Sequence, residues 1–456
     1  MSIFRAYDIR GIVGDTLTPQ IVTEIGQAIG SEAAAQGQQK VVVARDGRLS
    51  GTSLKQALIE GLQRAGRSVI DIGMVPTPLL YFATHYFKTG SGVMLTGSHN
   101  PSNYNGLKMM IGGDTLASEK IQALKTRIAT GNLLNSPTNE LENLDIRQIY
   151  LQRVLQDVKL TRSFKIVIDC GNGVGGVIAP ELLQQLGCEV IPLFCEVDGN
   201  FPNHHPDPSK PENLQTLIET VQAQQADFGL AFDGDADRLG VVDAQGKIVW
   251  ADRQMMLYAT DILQRHPGAE IIFDVKCTRH LAELIEKQGG KATMWRTGHS
   301  PIKAKLKETG ALLAGEMSGH IFFKERWYGF DDALYTAARL LEILAKDSRT
   351  PTEVFCSLPD AVNTPELNLN VAKDGEQFEL MQKILATFHF DATAQISTID
   401  GLRVDFPRGW GLVRPSNTTP CLVIRFEAED QAELERIQAQ FRQQFLAIDS
   451  TLHLPF

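Results

Sequence analysis

The feature that most constrains this chain is a threefold internal repeat. Val41-Val42-Val43-Ala44, ending in Arg45-Asp46-Gly47, is a short β-branched run. A helical pattern follows, with Leu54, Ala57, Leu58, Gly61, Leu62 and Ala65 on one face. Gly66 stops it as a left-handed cap, and Val69-Ile70-Asp71-Ile72 begins a second strand. The same order recurs at Ile166–Asp169, Leu182–Leu186 with Gly187, and Val190–Leu193. It recurs again at Ile271–Asp274, Leu281–Ile285 with Gly289-Gly290, and Ala292–Trp295. Strand, crossover helix and strand form a βαβ unit, so each copy is expected to build an α/β layer.

Each copy then offers a further apolar strand that runs into a polar loop. Val93-Met94-Leu95 leads to Thr96-Gly97-Ser98-His99-Asn100-Pro101, and Phe228–Phe232 leads to Asp233-Gly234-Asp235-Ala236-Asp237. Ala311–Ala314 leads to Gly315-Glu316-Met317-Ser318-Gly319-His320. Open α/β sheets bind ligands beyond the carboxyl ends of their strands, so three equivalent loops are expected to converge on one site. After about residue 358 the pattern changes to polar strands and turns around Arg414–Pro420, then a strand at Leu422–Phe426 and a charged helix from about 430 to 446. The expected architecture is α/β: three related mixed α/β domains plus a C-terminal α+β domain around a central cleft. The seams fall near residues 146, 249 and 358, giving segments 1–146, 147–249, 250–358 and 359–456.

A chain of 456 residues is too long for one core, in keeping with several domains. A net charge of −10 argues against nucleic-acid and membrane surfaces, though a local cation cluster can still bind an anionic small molecule. The six cysteines are scattered without a CxxC pair, as in a reducing cytoplasm. The start of the chain has no apolar signal region, and no run approaches the roughly 20 apolar residues of a membrane helix.

The loops carry the chemistry. Ser98 in its turn reads as an exposed hydroxyl beside an imidazole, fit for carrying a group covalently. No G-x-S-x-G elbow surrounds it, which argues against a serine hydrolase. The competing reading is an ordinary Gly/Ser/Asn turn. Asp233, Asp235 and Asp237 alternate along what reads as an extended loop, so three carboxylates can meet one hard cation such as Mg²⁺. An EF-hand starting at Asp233 fails, because its sixth and twelfth positions hold Arg238 and Ala244. Gly171-Asn172-Gly173-Val174-Gly175-Gly176 matches a dinucleotide fingerprint, with Glu196 as the ribose carboxylate. The corresponding turns of the other copies lack that pattern, so a tight turn explains it without a dinucleotide. Glu316 and Ser318 suit vicinal sugar hydroxyls, with the His320 imidazole beside them; taken alone, the segment equally suits a solvated turn. Arg414-Pro415-Ser416-Asn417-Thr418 suits phosphate, through a guanidinium fork and turn amides.

Taken in order, these motifs resemble the α-D-phosphohexomutase superfamily, nearest its bacterial phosphomannomutase/phosphoglucomutase branch. The resemblance covers nearly the whole chain and includes Tyr7-Asp8-Ile9-Arg10-Gly11, TGSHNP at 96–101, Asn105–Lys108, DGDADR at 233–238, GEMSGH at 315–320 and RPSNTTP at 414–420. It implies interconversion of hexose 1-phosphate and hexose 6-phosphate through a phosphorylated Ser98 and a bound 1,6-bisphosphate, which also serves as activator. One Mg²⁺ would sit on Asp233, Asp235, Asp237 and the Ser98 group. Arg10, Lys108 and Arg238 would balance phosphate charge, with Lys108 the first candidate for proton transfer and His99 and His320 the alternatives. Glu316 and Ser318 would hold the sugar, and Arg414, Ser416, Asn417 and Thr418 the non-reacting phosphate; Tyr7, Lys276 and His299 match cleft positions. Thr419 and Met317 favour the mannose/glucose branch over phosphoglucosamine mutase. A non-catalytic sugar-phosphate binding protein is the other alternative. The resemblance implies hexose phosphate substrates; the scattered cysteines and missing signal region suggest a cytoplasmic protein, and the lack of a large apolar stripe suggests a monomer.

Overall fold

The computed structural model describes residues 3–417 and 419–456. Three of its four sheets share one topology. In the second, the strand order is Leu239–Asp243, Phe228–Phe232, Lys165–Asp169, Glu189–Leu193. In the third it is Ile321–Phe323, Leu313–Gly315, Glu270–Asp274, Lys291–Trp295. The first contains the same four-strand core: Tyr104–Ile111, Gly92–Leu95, Lys40–Arg45, Ser68–Met74. In every copy the last three named strands are parallel, and the first named strand runs antiparallel to its neighbour. The helices of the repeat end as the sequence predicts, with Gly66, Gly187 and Gly289 all at positive φ.

The first sheet is widened on both sides. Ile9–Ile12 pairs with Tyr104–Ile111, and Leu141–Asn143 pairs with Ser68–Met74. The asparagine-rich stretch that precedes residue 146 therefore returns to the first sheet. The third copy departs slightly from expectation. Its third strand begins at Leu313, because the Leu312 carbonyl accepts from the amides of both Lys324 and Glu325, which breaks the ladder there.

Crossover helices cover the sheets, and their central strands are buried on both faces, as parallel strands require. Phe228–Phe232 is buried at all five positions. One apolar core runs without interruption from the first sheet through the second to the third, including Met94, Ile168, Leu230, Phe323 and Leu341. The C-terminal sheet is antiparallel in all its described pairings, ordered Val362–Asn363, Cys421–Ala428, Gly409–Pro415, Leu402–Phe406, Gln395–Ser397, with Leu367–Asn370 also paired to Cys421–Ala428. It has its own core with the helices Glu376–Thr387 and Gln431–Ile448. Asp430 caps the last helix by accepting from the Glu433 amide at 2.9 Å. No helix among the described residues is long and apolar enough to cross a membrane.

The shared core predicts shared stability. Leu341 is fully buried at the centre of the helix Ala333–Lys346. Leu341→Ala is expected to destabilise the repeat region by about 2–5 kcal/mol. A separate C-terminal unfolding step should keep its midpoint. Denaturant unfolding followed by hydrogen exchange of each region checks this.

Candidate active site

Ser98 lies in the turn between Gly92–Leu95 and Tyr104–Ile111, with φ at +50°. Such a backbone is unfavourable for a serine and persists only where its surroundings impose it. Here they do. The Ser98 amide donates to Thr96 Oγ1 at 2.8 Å, and Thr96 Oγ1 donates to Asp46 Oδ2 at 2.8 Å. The guanidinium of Arg48, itself 1% exposed, donates to the carbonyls of Ser98, Asn100, Pro101 and Tyr104 at 2.6–2.9 Å. Gly97 carries no Cβ because that guanidinium fills the space one would need.

The expected exposure of Ser98 is corrected: the residue is only 2% exposed, because the second repeat packs on its turn and Gly234 abuts the Ser98 carbonyl. Its hydroxyl donates to Asp233 Oδ2 at 3.1 Å and lies 3.0 Å from His99 Nδ1. Burial, then the charges of Arg238 and Arg10, hold the His99 imidazole well below its usual pKa, so it is neutral.

The loop Asp233–Asp237 is a turn, not the extended segment expected. Ala236 has φ at +56°, and Asp233 Oδ1 accepts from the amides of Asp237 and Arg238 at 3.0 and 3.1 Å. The turn still converges the three carboxylates, whose ligand atoms lie within 4.8 Å of one another and are fully buried. Lys108 Nζ donates to Asp235 Oδ2 at 2.7 Å and to Asp237 Oδ2. Thr77, from the first repeat, also donates to Asp235 Oδ2. Asp235 Oδ1 and Asp237 Oδ1 are buried without a hydrogen-bond partner among the described residues. Burial first, then Asp237 and Asp235, push the Asp233 carboxyl well above the carboxylate range. Burial would lower the Lys108 ammonium, but Asp235 and Asp237 outweigh it and raise its pKa. Three converging carboxylates, with two buried oxygens lacking hydrogen-bond partners among the described residues, fit a hard divalent cation.

The third loop meets this centre from the other side. Arg238 Nε donates to His320 Nε2 at 3.0 Å, and His320 Nδ1 lies 3.2 Å from Asp331 Oδ2. Asp331 is held in turn by Lys303 Nζ at 2.9 Å. Glu316 accepts from the Gly298 amide, and Ser318 is half-buried beside it. Arg10 donates to Asn100 and Asp8. Lys276 Nζ meets Glu366 at 2.7 Å, and Arg414 Nε donates to Asp400 at 2.8 Å. Tyr7 reaches across the cleft. Its hydroxyl donates to the Thr297 carbonyl at 3.0 Å and accepts from Asn417 Nδ2 at 2.7 Å. Burial pushes the Tyr7 hydroxyl up to about 12 against the pull of Arg414. His299 packs edge-on against the Tyr7 ring at 6.2 Å. Ser416 Oγ lies 2.9 Å from Thr419 Oγ1, whereas Thr418 lies outside the described residues.

Tyr7, Arg10, Ser98, His99, Lys108, Arg238, His299, His320 and Asn417 therefore line one cavity of about 510 Å³. Tyr7 and Asn417 also border an adjoining cavity of about 1170 Å³. The glycine-rich turn after Lys165–Asp169 has no room for a dinucleotide. Gly173 packs on the backbone of Gly234, and Gly176 packs on the Cys195 carbonyl. That turn supports the aspartate loop. Asp46, Arg48, Thr77, Asp331 and Lys303 were not singled out by the sequence. The only signal for the first two was the Asp46-Gly47-Arg48 turn at a strand end.

Comparison with known proteins agrees with this geometry. The chain matches the family descriptions phosphoglucomutase/phosphomannomutase alpha/beta/alpha domain I over residues 1–134, domain II over 148–246 and domain III over 250–362. It matches the C-terminal domain of the same family over 366–444. It is 57% identical to a phosphomannomutase/phosphoglucomutase of Pseudomonas aeruginosa, covering 100% of this chain and 98% of the relative. It is 54% identical to a phosphoglucomutase of Neisseria gonorrhoeae, covering 99% and 98%. The crystal structure of a phosphoglucomutase/phosphomannomutase family protein from Burkholderia thailandensis superposes with a TM-score of 0.95 at 52% identity, covering 100% and 99%. With all four domains matched in order and the loops of the first three meeting at one cavity, the chain belongs to the phosphoglucomutase/phosphomannomutase family.

Proposed function

We propose that the protein interconverts the 1-phosphate and 6-phosphate of mannose or glucose by a phosphoryl relay through Ser98. The observation that carries this reading is the contact of Ser98 Oγ with Asp233 Oδ2 at 3.1 Å, beside two unpartnered carboxylate oxygens. A hydroxyl placed beside a cation site is what a phosphate carrier needs. A binding protein needs neither.

In the proposed cycle, phosphorylated Ser98 gives its phosphoryl group to the free hydroxyl of a hexose phosphate. The phosphorus–Oγ bond breaks, a bond to the sugar oxygen forms, and the hydroxyl proton passes to Ser98 Oγ. The bisphosphate turns in the cleft, and Ser98 Oγ then attacks its other phosphate: a phosphorus–Oγ bond forms, the phosphorus–sugar oxygen bond breaks, and that oxygen takes the proton that leaves Ser98. Asp233, Asp235 and Asp237 would hold Mg²⁺, which when bound neutralises charge on the transferred phosphoryl oxygens. Arg10 and Arg238 neutralise more of it from the cavity wall. Lys108, charged through Asp235 and Asp237, hands a proton to Ser98 Oγ and recovers one from the sugar hydroxyl. His99 and His320 are the alternative carriers. Glu316 and Ser318 hold the sugar hydroxyls, with Tyr7, Lys276 and His299 around them. Arg414, Ser416, Asn417 and Thr418 take the phosphate that does not react. A hexose 1,6-bisphosphate primes Ser98. Domain seams near 146, 249 and 358, a monomeric state and a cytoplasmic location complete the proposal.

The decisive assay supplies Mg²⁺, a trace of glucose 1,6-bisphosphate, and mannose or glucose 1-phosphate. Formation of the 6-phosphate is expected, and no turnover with either sugar would sink the reading. Ser98→Ala should lower kcat by about 10³-fold or more and abolish the mass increment of about 80 Da on the intact chain. Chelation should abolish turnover, with recovery on adding Mg²⁺. Asp235→Asn should lower kcat by roughly 100-fold at saturating sugar.

A further inference from the structure

The three repeats share an element to which the relay assigns no role. A buried carboxylate stands at the carboxyl end of each central strand. Asp46 directly follows Lys40–Arg45, and Asp169 and Asp274 end Lys165–Asp169 and Glu270–Asp274. They are 2%, 1% and 0% exposed.

Asp46 Oδ2 accepts from Thr96 Oγ1 at 2.8 Å, the Gly97 amide at 3.1 Å and Arg48 Nε at 3.2 Å. The first of these fixes the Ser98 amide through Thr96, and the last fixes the guanidinium that holds the Ser98 carbonyl. Asp274 does the same for the third loop. Its Oδ1 accepts from the Met317 amide at 3.1 Å, and its Oδ2 from Thr297 Oγ1 at 2.9 Å. Those contacts bracket Glu316, whose carboxylate takes the amide of Gly298, next to Thr297. Asp169 is one step removed. It holds His204 Nε2 at 2.9 Å, and the nearby Pro206 carbonyl accepts from the Gly234 amide at 3.2 Å.

We infer that Asp46 and Asp274 are equivalent positioning residues of the repeat, one aiming the phosphate-carrying loop and the other the sugar-holding loop. The inference rests on the mutase reading above. A carboxylate serves here because both of its oxygens accept; an amide of the same shape turns one acceptor into a donor facing other donors. The two substitutions should therefore fail differently. A misplaced nucleophile slows transfer, whereas a misplaced sugar clamp weakens binding.

The test is steady-state kinetics on Asp46→Asn and Asp274→Asn with glucose 1-phosphate, alongside the melting temperature and the phosphorylated fraction of Ser98 after saturating bisphosphate. Asp46→Asn is expected to lower kcat about 100-fold with KM within about twofold, and to slow phosphorylation of Ser98. Asp274→Asn is expected to raise KM about tenfold with kcat within about threefold, and to leave that phosphorylation at the wild-type level. If either variant fails to fold, Thr96→Val or Thr297→Val, which remove one hydroxyl at constant shape, take its place with the same expectations. Both variants altering the same parameter, or neither altering any, overturns the inference while an active wild type preserves the mutase reading. A wild type without turnover overturns both.

Discussion

Everything in the cleft depends on one electrostatic problem: three carboxylates are buried within 4.8 Å of one another. Two unit charges about 4 Å apart cost roughly 4 kcal/mol at an effective dielectric of about 20, and three make more than one such pair. Cations have to be brought to them, and the second repeat does not hold enough. Lys108 comes from the first sheet, and Arg238 is shared with His320 of the third. The need to neutralise Asp233, Asp235 and Asp237 is thus a reason for the repeats to dock. Ser98 is buried as a by-product of that docking, since the same approach seats Gly234 on its turn.

The repeat and its loops are legible in the sequence because they rest on local signals. Apolar periodicity marks Val41–Ala44, Ile166–Asp169 and Ile271–Asp274, and a strand end followed by Ser98 or Asp233 announces chemistry by residue type. What is not legible depends on contacts between distant segments. Arg48 reads as one more polar residue in a turn until four carbonyls some fifty residues away close around it. Asp331 and Lys303 stay silent for the same reason. The shape of the aspartate loop escapes a sequence reading because nothing marks Ala236 as left-handed; the Asp233 side chain imposes it by taking two amides of its own turn. The burial of Ser98 escapes it because a turn is normally a surface feature, and the neighbour that covers it lies more than a hundred residues on.

The repeats also divide labour between rigidity and variation. Strands and crossover helices make one continuous core, while the strand-end loops carry different charged groups: none besides an imidazole at 96–101, three aspartates at 233–237 and a glutamate at 315–320. A buried aspartate stands at the same place in each copy, and in the first and third it bonds the strand-end loop directly. The loops at Ser98, Asp233 and Glu316 can then diverge without disturbing the sheet beneath them.

The C-terminal sheet is attached unevenly, and Tyr7 shows it. Toward the third repeat the contacts are many and buried: Arg403 donates to the carbonyls of Val275 and Cys277, and Thr278 to Glu427. Toward the first repeat, Asn417 meets the Tyr7 phenol in a hydrogen bond between neutral groups. Such a bond contributes about 0.5–1.5 kcal/mol, a few times thermal energy at most. The C-terminal part is therefore a door hung firmly on one jamb and latched lightly on the other. Parting the C-terminal sheet from the first repeat would break that Tyr7–Asn417 bond and leave the buried contacts with the third repeat in place.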